Sequence, residues 1–493
     1  MFLLNLSAMK FHKLVRFSLK SFCIFGIIFT STIIFYSSNS LFPTETYRKL
    51  LIAAYESNLI NTQVTERAPA GWGADKATEC LTLGLGLSNS KFQERLLDFF
   101  PNGKGSYNPC VGVIAWATNN DEFQYVSYAR YWHVHSEILR WLVLIFGVSG
   151  TRAMLAMLIL SSCLYLCFII SNLVNSKSRS RLIIFPLALG IMYFFSGLFD
   201  IQASMTHALS ELTILLIIIS SLRILSPANR SSPYFCGFAM GGIYVVSSYM
   251  INPQSIPVAI LTWGLIPLML FTTKSQEEAV LIWKRALHLF LGIGVGYLTL
   301  WFSKWIAIDL LTEYPIWNDV ASQAEHRSSQ DVSSLSVGVG KHLRFADDLP
   351  ASVQSVIANF SALAIRVWDP RHSNVWALVI ILLLVSTGLL GLKKFLAREL
   401  NQIGFSKGAT FSLSSRIRHS TYALLASFVL LVIWYTSLAQ HSFDHSTYTY
   451  RSLSYLVSGT LLVLLSYWST SPNVRNLNDT SSDFDAKHRQ SNF

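Results

Sequence analysis

The sequence predicts an all-α polytopic membrane protein with about ten transmembrane helices and a large outward first loop containing amphipathic helices. Charged residues make up only 13% of the 493 residues, about half of the roughly 25% typical of soluble proteins. Hydrophobic residues make up 52%, and the mean hydropathy is +0.42. Long apolar runs near the ~20 residues that cross a bilayer recur along the chain. This composition excludes a soluble enzyme, a nucleic-acid-binding module and a disordered chain.

Ten apolar stretches are candidates for membrane-spanning helices. The first follows a basic flank, and its core is longer than that of a typical signal peptide, so we expect a retained helix. The stretches near 182–199 and 256–272 are short enough to be tilted, broken or partly re-entrant. The ten stretches are 19–38, 151–173, 182–199, 208–225, 234–251, 256–272, 287–310, 374–392, 420–439 and 452–469.

Basic residues alternate between the ends of these spans. Each even-numbered span returns the chain to a segment rich in Lys and Arg, which by the positive-inside rule places both termini in the cytoplasm. The net charge of +11 therefore reflects topology, and no nucleic-acid partner is expected. The predicted organisation is a cytoplasmic N-terminus and first span (1–38), a large periplasmic loop (39–150), a six-span bundle (151–310), a second periplasmic loop (311–373), a C-terminal three-span bundle (374–469) and a disordered cytoplasmic tail (470–493).

The first outward loop begins with an amphipathic stretch, 46–56, that predicts a helix lying on the membrane surface. The same loop holds Cys80 and Cys110, the two cysteines outside apolar runs. An oxidising exterior would pair them, and closing the loop would contribute about 3 kcal/mol. Two free thiols are the alternative.

Two carboxylates of this loop are candidate catalytic residues. Asp75 and Glu79 follow a Gly-Trp-Gly turn and are four residues apart, so a helix starting at Ala74 would place both on one face. Such a pair can act as acid and base, or as base and metal ligand. The alternative is a solvated first helical turn, where acidic residues suit the helix dipole.

The end of the first loop is dense in Tyr, Trp, His and Arg. Arg130, His133, His135 and Arg140 are candidates for binding phosphate or another anion, which Arg holds in a bidentate manner. The competing interpretation is an interfacial aromatic belt with snorkelling Arg. That interpretation explains the Tyr and Trp residues better than the two His.

The last outward loop is about a dozen residues long and contains His441, Asp444, His445 and Arg451. A connector that only turns would use Gly, Asn, Pro or Ser. A metal site and a polar wall for a phosphate-and-sugar ligand both fit this composition, and a solvated loop is the third alternative.

Ionisable residues near membrane depth are a further signal. Asp200, His207 and Glu211 lie at the connection between the third and fourth spans. Such groups are costly in a membrane and are therefore functional candidates, although Asp200 also suits a helix cap.

The overall arrangement resembles the GT-C superfamily of integral membrane glycosyltransferases, including O-antigen-modifying glucosyltransferases. The resemblance rests on an N-terminal span, a long exported loop with a surface helix and acidic residues, and many following spans. Its motif-level supports are Asp75 with Glu79, the Arg130–His135 run and the His441–Arg451 loop. The family's acidic motif often lies closer to the first span than Asp75 does.

The resemblance implies an inverting transfer in a bacterial inner membrane. A polyprenyl-phosphate sugar donor, with its phosphate held by Arg and His, would react with a polysaccharide or lipid-linked acceptor on the periplasmic side. Asp75 would be the general base, with Glu79 as helper or as the ligand of a divalent cation. No cofactor is otherwise expected, and the membrane lipid itself is a partner.

Two other classes remain open. An O-antigen polymerase or ligase would use the same kind of lipid-linked substrate and would need Arg and His without a catalytic carboxylate. A transporter would need polar groups along a path through the spans. The middle spans carry few of these beyond Glu211, His288 and Lys304.

Overall fold

The computed structural model is mostly helical, with one two-stranded sheet among the described residues. It describes residues 2–38, 41–60, 76–88, 92–105, 107–173, 186, 188–190, 204–248, 253–329, 349–365, 413–444 and 449–468.

The elements of the N-terminal third are α1 (Phe2–Ser38), α2 (Thr44–Glu56), α3 (Lys76–Gly84), α4 (Phe92–Arg95), β1 (Phe100–Gly103), α5 (Pro109–Ala117), β2 (Phe123–Val126) and α6 (Val134–Leu173). The later helices are α7 (Met205–Leu225), α8 (Pro233–Ser247), α9 (Ser255–Phe271), α10 (Gln276–Leu311), α11 (Ile316–Ser328), α12 (Ala351–Ile365), α13 (Leu413–Ser437), α14 (Ala439–Asp444) and α15 (Arg451–Trp468). Strands β1 and β2 pair antiparallel, with Phe100 opposite Val126.

Five of these helices are long and apolar enough to cross a membrane, and three shorter apolar helices accompany them. The protein is therefore a helical membrane protein by the length and composition of its helices. Two predicted spans lie mostly or wholly outside the described residues, 182–199 and 374–392, so the count of about ten stays a prediction. The five long candidates are Ser18–Ser38, Val134–Leu173, Met205–Leu225, Gln276–Leu311 and Ser414–Ser437.

Helix α6 is divided by a kink at Gly147, where φ is 68° and ψ is 175°. This positive φ is readily adopted by glycine but not by other residues. The part after the kink corresponds to the predicted span 151–173. The part before it carries His135, Glu137 and Arg140, which the sequence places in a loop.

Helix α2 has the predicted amphipathic character, but its apolar face does not lie against a membrane surface. Tyr47, Leu51 and Ala54 are buried and pack with α5 and α6. Phe42, just before α2, meets the ring of Trp141 edge-on at 5.3 Å. Protein rather than lipid covers this face.

The predicted cysteine pair is joined in the same region. Cys80 on α3 and Cys110 on α5 form a disulfide with a Cα–Cα distance of 4.9 Å, inside the window that disulfides require. The bond fixes α3, which carries Glu79, to α5 and the small sheet.

The described residues of the predicted second loop, 311–373, include helices α11 and α12. Helix α12 is apolar and packs among the C-terminal helices. Its Ser355 hydroxyl donates to the Tyr435 carbonyl at 3.0 Å, and the Asn359 amide donates to the Ser442 carbonyl at 3.0 Å. These bonds satisfy polar groups that would otherwise be buried without partners.

The bundle has two different ends. One end, here called the loop face, carries α2 to α5, the sheet and α11. The opposite end, here called the basic face, carries the C-terminus of α7 and the start of α10, where Arg285 donates to the Ile224 carbonyl at 2.8 Å. Arg416, at the start of α13, donates there to the Leu270 carbonyl at 3.3 Å. The alternation of basic segments predicts this separation.

Helices α8 and α10 pack against each other through glycines. A Cβ at Gly292 would lie 2.1 Å from the Tyr234 carbonyl oxygen, and one at Gly296 would lie 2.1 Å from that of Phe238. Gly237 and Gly241 on α8 approach α10 in the same way. Both helices carry the G-x-x-x-G spacing that allows close backbone contact in membranes.

We expect Gly292→Ala to destabilise the protein, because the new methyl group would force the two backbones apart, at a cost of about 1–3 kcal/mol. Gly294→Ala is the matched control, since a Cβ there meets no atom within 4 Å. Thermal unfolding of the detergent-solubilised protein measures the effect. Equal melting temperatures for the two variants would contradict this packing.

Candidate functional site

The loop face contains a fully buried cation, Lys304 of α10. Its ammonium donates to the Asp98 carboxylate and to the Tyr131 carbonyl. The Tyr36 hydroxyl also donates to Asp98, at 2.9 Å, and accepts the backbone N–H of His133 at 2.8 Å. These residues, here called the Lys304 cluster, connect α1, α10 and the first loop.

Aromatic rings complete the surroundings of this ammonium. It lies 5.5 Å from the Trp132 ring centroid and 5.7 Å from that of Tyr36, distances at which cation–π attraction acts. The Trp132 indole N–H donates to the Leu300 carbonyl at 2.6 Å. The cation is therefore held by a charge, a carbonyl and two rings.

Burial perturbs the titratable groups of this cluster. Burial raises the pKa of Asp98 to about 6, although Lys304 and Tyr36 act against the rise. Burial, followed by the Lys304 charge, lowers the pKa of His133 well below its usual value. His133 is therefore neutral at pH 7, and its Nε2–H donates to the Tyr128 carbonyl at 3.0 Å.

Arg130 connects the first loop to α11. Its guanidinium forms an ion pair with Asp319 of α11 at 2.8 Å. Its carbonyl accepts the indole N–H groups of Trp301 and Trp305 at 2.8 and 2.9 Å. Both Arg130 and Asp319 lie at the loop face, as the alternation of basic segments predicts.

Arg140 is fully buried and forms an ion pair with Glu137 one helical turn earlier. Its guanidinium lies 5.2 Å from the ring centroid of Phe42. Among the described residues, its Nε and Nη1 have no hydrogen-bond acceptor. Such groups are costly to bury unpaired, so Arg140 keeps donor capacity for another acceptor.

Glu79 is fixed at the N-terminus of α7. Its two oxygens accept from Arg152 of α6, at 2.6 Å from Nη2 and 3.3 Å from Nε. The N–H of Met205 donates to the same carboxylate at 2.9 Å. Through these contacts the Glu79 carboxylate connects α3, α6 and α7, which is a structural role. Asp75 lies outside the described residues.

Arg451, the first residue of α15, meets the same N-terminus of α7. Its Nη1 donates to His207 Nδ1 at 2.9 Å, and the Tyr455 hydroxyl donates to Glu211 at 2.8 Å. All four residues are buried. The residues at this point are here called the α7 cluster: Glu79, Arg152, His207, Glu211, Arg451 and Tyr455.

The structure therefore brings together some of the predicted site residues. Glu79 and Arg451 converge on α7, whereas His133 belongs to the Lys304 cluster and Arg130 pairs with Asp319. His135 packs beside His133 with ring centroids 5.4 Å apart. A common cavity for these two groups stays a prediction. His441 lies on α14, Asp444 is the last residue of that helix, and His445 lies outside the described residues.

Sequence reasoning missed Asp98 and Arg152. A signal for Asp98 exists, because a lysine within an apolar span requires a buried counter-charge. No comparable signal exists for Arg152, because its position in the sequence is that of any basic residue at the end of a span. Across the part of the chain that is described, no group of three or more His, Cys, Asp or Glu side chains is placed to hold a metal ion.

Comparisons of the chain with protein-family models, with curated proteins and with solved structures find no match.

We expect Asp98→Asn to destabilise the protein by about 3–5 kcal/mol, since it leaves the Lys304 ammonium buried without its counter-charge. The double variant Asp98→Asn with Lys304→Met should recover most of this loss. Asp121→Asn, at an exposed carboxylate, is the control. Thermal unfolding in detergent measures all three. A double variant as unstable as the single one would argue against the pair.

The depressed pKa of His133 predicts that stability falls as the pH drops below about 6.5, its usual value, because the unfolded chain then binds a proton that the native state excludes. His133→Gln, which keeps a donor for Tyr128, should reduce the fall in melting temperature between pH 7 and 5. The buried His135, whose pKa burial lowers to about 3, acts in the same direction and is present in both proteins. The raised pKa of Asp98 has the opposite effect on stability between about pH 4 and pH 6. Asp98 is present in both proteins, so this effect cancels in the comparison. A parallel pH profile in the variant would refute this role, and His326→Gln, at an exposed position, is the control.

Proposed function

We propose that the protein is an integral membrane glycosyltransferase that moves a sugar from a polyprenyl-phosphate donor to a cell-surface polysaccharide or a lipid-linked acceptor. Transfer takes place at the loop face. The observation that supports this most is the convergence of Glu79, His207 and Arg451, from three distant parts of the chain, at the N-terminus of α7.

The chemistry of this point suits a phosphate leaving group. Helices α7 and α15 both begin here, and the N-termini of helices favour anions. Arg451 adds a permanent positive charge and a planar set of donors that matches phosphate oxygens. Charge that develops on the leaving polyprenyl phosphate is stabilised by these groups.

The proton of the acceptor hydroxyl needs a base. In the proposed step, this oxygen attacks the anomeric carbon, the carbon–oxygen bond to the phosphate breaks, and the proton passes to a carboxylate. Glu79 is poorly suited because Arg152 and the Met205 N–H engage both of its oxygens. Asp75 is therefore assigned as the base, with Glu79 as a positioning residue.

The positive-inside rule supports one direction of transfer. With the basic face in the cytoplasm by the positive-inside rule, the loop face and its disulfide lie on the periplasmic side of a bacterial inner membrane. A lipid-linked donor reaches the α7 cluster laterally from the bilayer, and the acceptor arrives from the periplasm.

An O-antigen polymerase or ligase is the second candidate. The observation that favours it is the ion pairing of four loop-face carboxylates with Arg or Lys, which leaves them unsuited to act as bases. The four carboxylates are Glu79, Asp98, Glu137 and Asp319. Such an enzyme would act through Arg and His alone, so the two candidates differ in whether Asp75 is required.

We expect Asp75→Asn to lower sugar transfer by about 10²–10⁴-fold, the usual contribution of a general base, with unchanged protein yield and melting temperature. Glu79→Gln should lower the melting temperature, because it weakens the pair with Arg152. Transfer of a radiolabelled hexose from its polyprenyl-phosphate donor, with purified protein in vesicles, measures activity.

Glu45→Gln is the matched control, since Glu45 is an exposed carboxylate of the same loop and its loss should affect neither quantity. Wild-type transfer in Asp75→Asn would reject this base and favour the polymerase or ligase. Normal stability of Glu79→Gln with lost transfer would instead make Glu79 the base.

A further inference from the structure

A groove of about 420 Å³ lies between α1 and α8 near the basic face, remote from the α7 cluster. Its walls are almost entirely apolar, and it is open along one side. The residues that form the walls are Leu19, Cys23, Ile24, Phe235 and Cys236.

The position of the groove along the helices indicates what can reach it. The candidate span of α1 begins at Ser18, so Cys23 and Ile24 lie one to two turns inside the start of the span. An apolar groove at this depth faces acyl chains rather than water. A hydrocarbon chain can bind in this groove without the free-energy cost of removing polar groups from water.

The mouth of the groove carries positive charge. Lys20 lines it, and its ammonium lies 5.5 Å from the ring centroid of Phe235. Ser232 also lines it and is the N-cap of the 15-residue helix α8, where its side chain makes no capping hydrogen bond. The positive end of the helix dipole and an exposed lysine thus meet at the level of the headgroups.

We propose that this groove binds an anionic phospholipid of the leaflet at the basic face, with one acyl chain between α1 and α8 and the phosphate at Lys20 and the N-terminus of α8. A phosphatidylcholine headgroup also carries a quaternary ammonium, which Lys20 repels, so the site favours lipids with net negative charge. The proposal does not depend on the proposed function.

The test is a titration of short-chain phosphatidylglycerol into detergent-solubilised protein, with bound lipid counted by native mass spectrometry. Wild-type protein should retain phosphatidylglycerol more strongly than phosphatidylcholine. Lys20→Gln should weaken phosphatidylglycerol about five-fold, the factor that corresponds to the ~1 kcal/mol of one basic residue near an anionic surface. Lys20→Arg should keep the binding.

Lys284→Gln is the matched control, because Lys284 is exposed at the same face but does not line the groove. Equal losses in Lys20→Gln and Lys284→Gln would overturn the proposal in favour of a general charge effect. Retention of phosphatidylcholine equal to that of phosphatidylglycerol would overturn the proposed selection for lipids with net negative charge. Displacement of the lipid by millimolar inorganic phosphate would overturn the role of the acyl chain.

The thiol of Cys23 reports the location directly, since it is exposed and lines the groove. Phosphatidylglycerol should slow its alkylation by a maleimide several-fold in wild-type protein, as followed by peptide mass spectrometry, and the same protection should need about five-fold more lipid in Lys20→Gln. An alkylation rate that phosphatidylglycerol leaves unchanged would place the lipid elsewhere and reject the groove.

Discussion

A lysine whose side chain is fully buried on a membrane-spanning helix requires a counter-charge and hydrogen-bond acceptors. The arrangement of the loop face depends on the residues that provide these for Lys304. An uncompensated charge at such a position costs several kcal/mol. Asp98 supplies the counter-charge from the first loop, and the Tyr131 carbonyl and two aromatic rings supply the rest. The Tyr36 hydroxyl donates to Asp98 and accepts the His133 N–H, so the hydrogen bonds around this one charge connect α1, α10 and the first loop.

The same requirement recurs across the loop face. Arg130 pairs with Asp319, Arg140 with Glu137 and Arg152 with Glu79, so each of these cations connects two segments or two turns of the chain. The disulfide between α3 and α5 holds Glu79 at the place where it meets Arg152 and α7. The proposed phosphate site lies where α7 and α15 begin, next to elements that these pairs hold together.

The sequence predicts the features that depend on a local residue pattern or on the side of the membrane where a segment lies. Hydrophobic runs predict most helices, and amphipathic spacing predicts α2. The placement of two cysteines in one loop, predicted to be exported, predicts their pairing. His207 and Glu211 were recognised because ionisable groups at membrane depth are rare. The G-x-x-x-G spacing in α8 and α10 is visible in the sequence, but the pairing of these two helices is not.

The partners of the buried charges could not be predicted, because they are distant in sequence. Lys304 and Asp98 are 206 residues apart, and Arg152 and Glu79 are 73 apart. A pattern of residues three or four positions apart indicates a helix face, but it does not indicate which distant residue pairs with which. The sequence predicts a loop for the part of α6 before Gly147, because its aromatic and charged residues obscure the helical period. Packing against α2 stabilises the helix there.

The most direct test of the proposed activity is a stoichiometry with wild-type protein. Purified protein in vesicles is given a polyprenyl-phosphate hexose, labelled in the sugar, and a polysaccharide acceptor from a bacterial surface. The account predicts that one molecule of polyprenyl phosphate is released for each labelled sugar that becomes attached to the acceptor, with inversion at the anomeric carbon. Movement of the intact labelled lipid across the membrane without release of polyprenyl phosphate would contradict it and identify a transporter.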